Sequence, residues 1–261
     1  MSPKGLLFSL IIPVLLSSCA LRSVSTGLTK YQEAVLHYET KDYYEALRLF
    51  EEALPLLRGK KEEASVHFYC AYCHFHQKKY IQCADRFNYF SETFLGDPRV
   101  EEAVYMRSHA LYVGSPDVRL DQTSTREAVH ALLDYLDCYP EGKHVEQAGV
   151  QLETLNRKLA LKELNSAKLY HQLTHYRAAV VTLNNFQKDF PGSVYDEEAS
   201  YVKANAQYRH FKKEGADQKK LWRVAIKYCQ EFLNHYPDSE YALTVRAMYK
   251  DLSSIDEPEN P

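Results

Sequence analysis

Cys70-Ala71-Tyr72-Cys73-His74 is the stretch of this 261-residue chain whose residue types most directly suggest chemistry. Two thiols three residues apart, followed at once by a histidine, form the pattern on which c-type haem is attached. His67, Cys70 and His74 also share one helical face, as do His171 and His175. Two ligands at i and i+4 can begin a zinc site, but no glutamate follows in the HExxH order. The haem pattern lies in the middle of a segment whose spacing reads as helix, and attachment would need that helix opened around a large cofactor. Neither haem nor metal is therefore expected, and the expected cofactor set is empty. The other cysteines are Cys19, Cys83, Cys138 and Cys229, with no regular disulfide framework. No GxSxG elbow, P-loop or GxGxxG occurs, and no carboxylate pair stands out from the solvated charge, so an enzyme is not expected.

The elements that position these residues repeat. In Asp42-Tyr43-Tyr44-Glu45-Ala46-Leu47-Arg48-Leu49-Phe50-Glu51-Glu52-Ala53, the residues Tyr43, Ala46, Phe50, Ala53 and Leu57 step by three and four, one face of an α-helix. The ladder returns as Tyr80, Cys83, Phe87, Phe90, Phe94; as Thr125, Ala128, Leu132, Tyr135, Tyr139; as Tyr176, Ala179, Leu183, Phe186, Phe190; and as Trp222, Ala225, Cys229, Phe232, Tyr236. Three copies end in aromatic-proline, at Tyr139-Pro140, Phe190-Pro191 and Tyr236-Pro237. Alanine lets two helices approach, the aromatic fills the gap between neighbours, and proline cannot continue the helix. This pattern resembles the tetratricopeptide repeat. The expectation is an all-α chain, a right-handed solenoid of about five tetratricopeptide-like helix pairs plus a C-terminal capping helix. Matching positions lie 37, 45, 51 and 46 residues apart, so the linkers carry inserts relative to the usual repeat of about 34.

Ahead of the repeats, Lys4 and the apolar run Leu6 to Leu16 lead into Leu16-Ser17-Ser18-Cys19. The run is too short to span a bilayer, which takes about 20 residues. The sequence reads as a secretory signal ending in a lipobox. Residues 1–18 are expected to be removed and Cys19 lipidated, which ties the chain to a membrane without a transmembrane helix. Ala20 follows where an aspartate would favour the inner membrane, so the expected place is the periplasmic face of the outer membrane. Residues 19–28 read as a polar tether, 29–140 as repeats one to three, 141–252 as repeats four and five with the cap, and 253–261 as a disordered acidic tail. The pairs are expected at about Thr29–Thr40 with Asp42–Leu57, Lys61–Gln77 with Tyr80–Phe94, Pro98–Val113 with Ser124–Tyr139, a long helix from Val145 with the one at Tyr176, and Tyr195–Phe211 with Lys220–Asn234. The cap is expected at Ser239–Leu252. The stretch Gly114 to Thr123 is longer than an ordinary turn. A net charge of −3 argues against a nucleic-acid partner, which selects a basic surface.

A lipobox followed by such repeats resembles the BamD family of outer-membrane β-barrel assembly lipoproteins. Tyr105-Met106-Arg107 and the stretch Leu120 to Ala128 are similar to segments of that family. Repeat one departs from it by closing on Leu57-Arg58-Gly59, and so does the helix after Pro237. The resemblance implies a scaffold whose partners are unfolded outer-membrane proteins, received by the N-terminal repeats, and the periplasmic domains of a BamA-like barrel protein, on which the C-terminal repeats dock. A repeat lipoprotein that organises cell-wall or envelope-division complexes is the alternative that the repeats alone leave open.

The binding face expected on the first helices carries Tyr31, His37, Tyr38, Tyr69, Tyr72, His76, Tyr105 and Arg107. Tyrosine offers a broad ring and a hydroxyl at low entropic cost, which suits varied peptides. Arg107 is expected to pair with the terminal carboxylate of a barrel protein while the tyrosines hold its last aromatic side chain.

Overall fold

The structure is a computed structural model that describes the backbone of residues 8–214 and 219–255, and side chains from residue 24 onward. Residues 1–7 of the expected signal peptide, the side chain of Cys19 and the tail from 256 lie outside the described residues. Among the described residues there are eleven α-helices and no strand. They are α1 (Phe8–Glu39), α2 (Tyr43–Ala53), α3 (Glu63–His76), α4 (Tyr80–Thr93), α5 (Val100–Gly114), α6 (Thr123–Cys138), α7 (Val145–Gln172), α8 (Tyr176–Asp189), α9 (Asp196–Glu214), α10 (Lys219–His235) and α11 (Ala242–Ser253). A 3₁₀ turn, Leu54–Leu56, follows α2. The chain is thus all-α and built of successive helix pairs, as the ladders require.

Two compact units form. The first holds residues up to Pro116 together with Gln122–Leu152, and the second holds Asp117–Asp121 with the chain from Glu153. The division falls inside α7 rather than at the expected 140/141. The start of α7 belongs to the first unit because Gln147 and Gln151 bond to Tyr105 and His109 of α5. The long 114–123 stretch is tied down as well. Gln122 is buried and accepts from the Thr125 hydroxyl at 2.8 Å. Within the second unit, Lys162 of α7 donates to the carbonyls of Arg119 and Leu120 at 3.1 and 3.2 Å.

The ladders are the core. Ala46, Phe50, Ala53 and Leu57 are fully buried, and so are Phe87, Phe90, Leu132, Tyr135, Leu183 and Phe186. Each alanine predicted at a helix contact, Ala46, Ala128, Ala179 and Ala225, has no exposed surface. Burying one such phenylalanine contributes about 1.5–3 kcal/mol. Asp42 starts α2 by accepting from the Glu45 amide at 3.3 Å. Pro55 stops α2 early and turns the chain through the 3₁₀ segment, which sets Leu57 into the core where three other repeats use an aromatic before proline.

The expected tether is corrected by α1, which runs unbroken through residues 24–28. Gly27 explains the close packing there: a Cβ at that position would meet the Leu56 Cβ at 2.8 Å. Three of the turns between paired helices share one geometry. Lys41, Lys78 and Thr174 have φ of 65°, 60° and 59°. The next residue reaches back five positions in each case, Asp42 to the His37 carbonyl at 2.8 Å, Lys79 to His74 at 2.9 Å and His175 to Tyr170 at 2.9 Å. This is a glycine-type helix end built without glycine.

The haem-like segment sits within α3, with Cys70 and Cys73 fully buried and their thiols pushed up to about 12 by burial. His67 and His74 are buried too, and the Nδ1 atom of each lacks a hydrogen-bond partner among the described residues. Burial holds both imidazoles below the ordinary range, with Arg86 adding to the effect. The native state therefore favours neutral rings, and the unfolded chain takes up protons first as pH falls below about 6.5. Stability from these two groups is full above that pH and declines below it. Denaturant midpoints measured from neutral to mildly acidic pH should fall, and the fall should be shallower in a His67→Gln, His74→Gln variant. Equal slopes would remove these histidines from the account.

Candidate peptide-binding face

Helical periodicity brings most of the expected tyrosines together. Tyr31 and Tyr38 lie two turns apart on α1, and Tyr69, Tyr72 and His76 line one face of α3. Tyr38 is the hub. Its ring centroid is 5.0 Å from Tyr69, 5.5 Å from Tyr43 and 6.0 Å from His76, each in a tilted or edge-on arrangement. Tyr43 stacks on His76 at 4.1 Å, and Tyr69 stacks on Phe50 at 5.3 Å with the rings parallel. Tyr31 meets Phe50 at 6.0 Å, and Tyr72 sets its ring edge-on to Phe87 at 5.1 Å. Such pairs add about 0.5–1.5 kcal/mol each beyond burial, so the face is rigid as well as apolar.

Burial favours the protonated hydroxyl at Tyr31, Tyr38 and Tyr72. Burial raises Tyr38 above the ordinary phenol range, with nearby Cys73 and Tyr43 adding to it. Burial raises Tyr72 as well, and its hydroxyl donates to the Glu102 carboxylate of α5. Tyr31 is raised by burial too, and His76 is lowered by burial and by Lys41. The tyrosines of the face are half-buried on α1 and α3, while His76 is exposed.

Three expected members stand elsewhere. His37 sits at the α1–α2 corner, its Nδ1 3.4 Å from the Asp42 carboxylate. Tyr105 is buried in a second cluster, stacked at 4.0 Å on His144 and accepting from Gln151 at 3.2 Å. Arg107 is the clearest correction. Two residues along a helix turn about 200°, so Arg107 leaves α5 on the side away from Tyr105. It lines a groove of about 670 Å³ between α4 and α6 and lies 4.0 Å from Asp134. It cannot join the tyrosines in holding one chain end.

The cation beside the tyrosines is Arg99, a residue the sequence did not single out. It precedes α5, forms a two-pronged pair with Asp97 at 2.7 and 2.8 Å, and donates to the Ser65 hydroxyl at 3.2 Å. Its guanidinium lies 4.8 Å from the Phe68 ring centroid, and its field reaches Tyr31 and Tyr69. Asp97-Pro98-Arg99, an acid and a base around a proline just ahead of a helix, is the local signal that could have found it.

The geometry of this face offers shape, ring stacking and hydroxyl groups. Among the described residues no three His, Cys, Asp or Glu side chains converge as metal ligands, and no helix is long and apolar enough to cross a membrane. A family model described as outer membrane lipoprotein, YfiO, matches residues 26–221. The outer membrane protein assembly factor BamD of Rickettsia prowazekii is 22% identical over 197 residues, which cover 74% of this chain and 78% of that one. The putative assembly factor BamD of Aquifex aeolicus is 27% identical over 194 residues, 72% of this chain and 63% of that one. BamD of Caulobacter vibrioides is 26% identical over 99 residues, so the match spans 38% of this chain and about a third (32%) of that one. Among solved structures, a tetratricopeptide-repeat protein of Bacteroides fragilis aligns with a TM-score of 0.44 at 15% identity, over 87% of this chain and 98% of that one. With residues 26–221 matched, the chain belongs to the YfiO family of outer membrane lipoproteins, the family of BamD.

Proposed function

We propose that this chain is a non-catalytic scaffold of outer-membrane β-barrel assembly, held at the periplasmic face of the outer membrane by lipid on Cys19. Its first unit receives segments of unfolded barrel proteins, and its second unit docks on the periplasmic domains of a BamA-like barrel protein. The observation that carries the reading is the rigid aromatic face of Tyr31, Tyr38, Tyr69, Tyr72 and His76. Strands bound for a barrel alternate apolar and polar side chains, often aromatic. Preformed rings bind such chains without ordering costs of their own. Family membership supports the assignment.

The test is a peptide copying the C-terminal strand of an outer-membrane barrel, titrated into the full chain. Tyr69→Ala with Tyr72→Ala should weaken binding roughly tenfold, about 1.4 kcal/mol, while Arg107→Ala should leave it unchanged. The reverse result would move the capture site to the groove that holds Arg107. The anchor has its own test. Cys19→Ala should leave the chain unprocessed or release it from the membrane fraction. If that variant still sediments with outer membrane in processed form, the lipid assignment is wrong.

A further inference from the structure

The second unit has a groove between α8 and α10, over the last turns of α9, that encloses about 1030 Å³. Its base holds the buried Val180 beside Gln207, whose side chain donates to the Leu221 carbonyl at 3.1 Å, and Val181, Leu221 and Val224 line the walls. Its rim is basic. Arg177, Lys213 and Lys220 line it, and Glu214 is the one carboxylate among its described lining residues. Lys213 faces the Tyr176 ring at 6.0 Å, and no described ion pair engages any of the three cations. Leu173 beside the groove and Val181 on its wall are each 53% exposed.

The corresponding groove of the first unit, between α4 and α6 over α5, carries the opposite sign. Asp85, Glu92 and Glu127 line it against Arg107. The basic rim thus sets this groove apart from that of the first unit, on a chain whose net charge is −3.

We propose that the α8–α10 groove docks a segment of a partner protein that is acidic and carries apolar side chains. Carboxylates of the segment pair with Arg177, Lys213 and Lys220, while its apolar side chains cover Val181, Leu221 and Val224. Cations gathered on one rim raise the local positive potential and steer an acidic chain toward it. The recessed base favours a polypeptide over a lipid surface, because a plane of headgroups does not reach a buried Val180. The inference stands apart from peptide capture by the first unit, and the barrel-strand peptide reports on that reading separately.

The test uses the full chain and a fluorescent synthetic peptide of alternating glutamate and leucine. Binding should weaken at least tenfold in the R177E/K220E variant, stay unchanged in a K60E/K61E control on the first unit, and vanish when lysine replaces glutamate in the peptide. No loss in R177E/K220E, or an equal loss in the control, would overturn the proposal. Phosphatidylglycerol vesicles that bind the groove more tightly than the peptide would make it a lipid site instead. A more than tenfold rise in peptide affinity on deleting residues 256–261, which include Asp256, Glu257 and Glu259, would make the chain's own acidic tail the occupant.

Discussion

Phe87→Ala is expected to lower the stability of this protein by about 3–5 kcal/mol. The side chain is fully buried in α4 and meets Phe68 at 5.6 Å and Tyr72 at 5.1 Å, both edge-on. Truncation removes transfer energy and leaves a cavity lined by rings too rigid to collapse into it. It also removes the ring against which Tyr72 is set, so capture of the barrel-strand peptide should weaken with stability. Chemical denaturation followed by far-ultraviolet circular dichroism reads the first effect. An unchanged midpoint would mean that α4 does not pack against α3 as described. Phe87→Leu keeps most of the volume and should cost much less.

The second large effect is overpacking. Ala179 of α8 has no exposed surface and packs with Val180, Ala206 of α9 and Tyr228 of α10. A helix contact at alanine brings two backbones close, with no space for a larger group. Ala179→Trp should therefore cost roughly 1–3 kcal/mol or more. Thermal melting would report it, and Ala179→Ser should be far milder. A tryptophan accepted without loss would show that the α8–α9 contact is not the tight one described. The variant also probes the second unit independently, because the first unit's aromatic face contains none of these residues.

The fold was readable because the repeat writes its core at fixed spacing. Five ladders of three-and-four steps placed Phe50, Phe87, Leu132, Leu183 and Phe232 inside, and each is buried. Proline and positive-φ corners then set the helix ends within a few residues. The site was only partly readable, and the reasons are geometric. Tyr31, Tyr38, Tyr69, Tyr72 and His76 recur with helical period and converge. Arg107 was grouped with Tyr105 by proximity in sequence, but an offset of two puts them on opposite sides of α5. Glu102 does not stand out in the sequence because a carboxylate near a helix start usually serves the helix dipole, and Arg99 because a single cation ahead of a helix is ordinarily a solvated surface charge. Their second role appears only when α3 and α5 are side by side, with Tyr72 on Glu102 and Phe68 under Arg99. The tether was misread because a small polar stretch looks like coil, whereas Gly27 is what lets α1 lie against Leu56.

The left-handed corners at Lys41, Lys78 and Thr174 have a dynamic consequence. A side chain in that conformation costs about 1–2 kcal/mol relative to the right-handed one. Each hairpin is then clamped by the contact between its helices, and its corner works against closure. Once that contact loosens, the corner relaxes and favours the open form. Opening should therefore proceed hairpin by hairpin, as in other arrays where each unit touches only its neighbours. Native-state hydrogen exchange would show it as separate steps for the amides of α1–α2, α3–α4 and α7–α8. Glycine at 41, 78 or 174 should slow the step of its own hairpin alone.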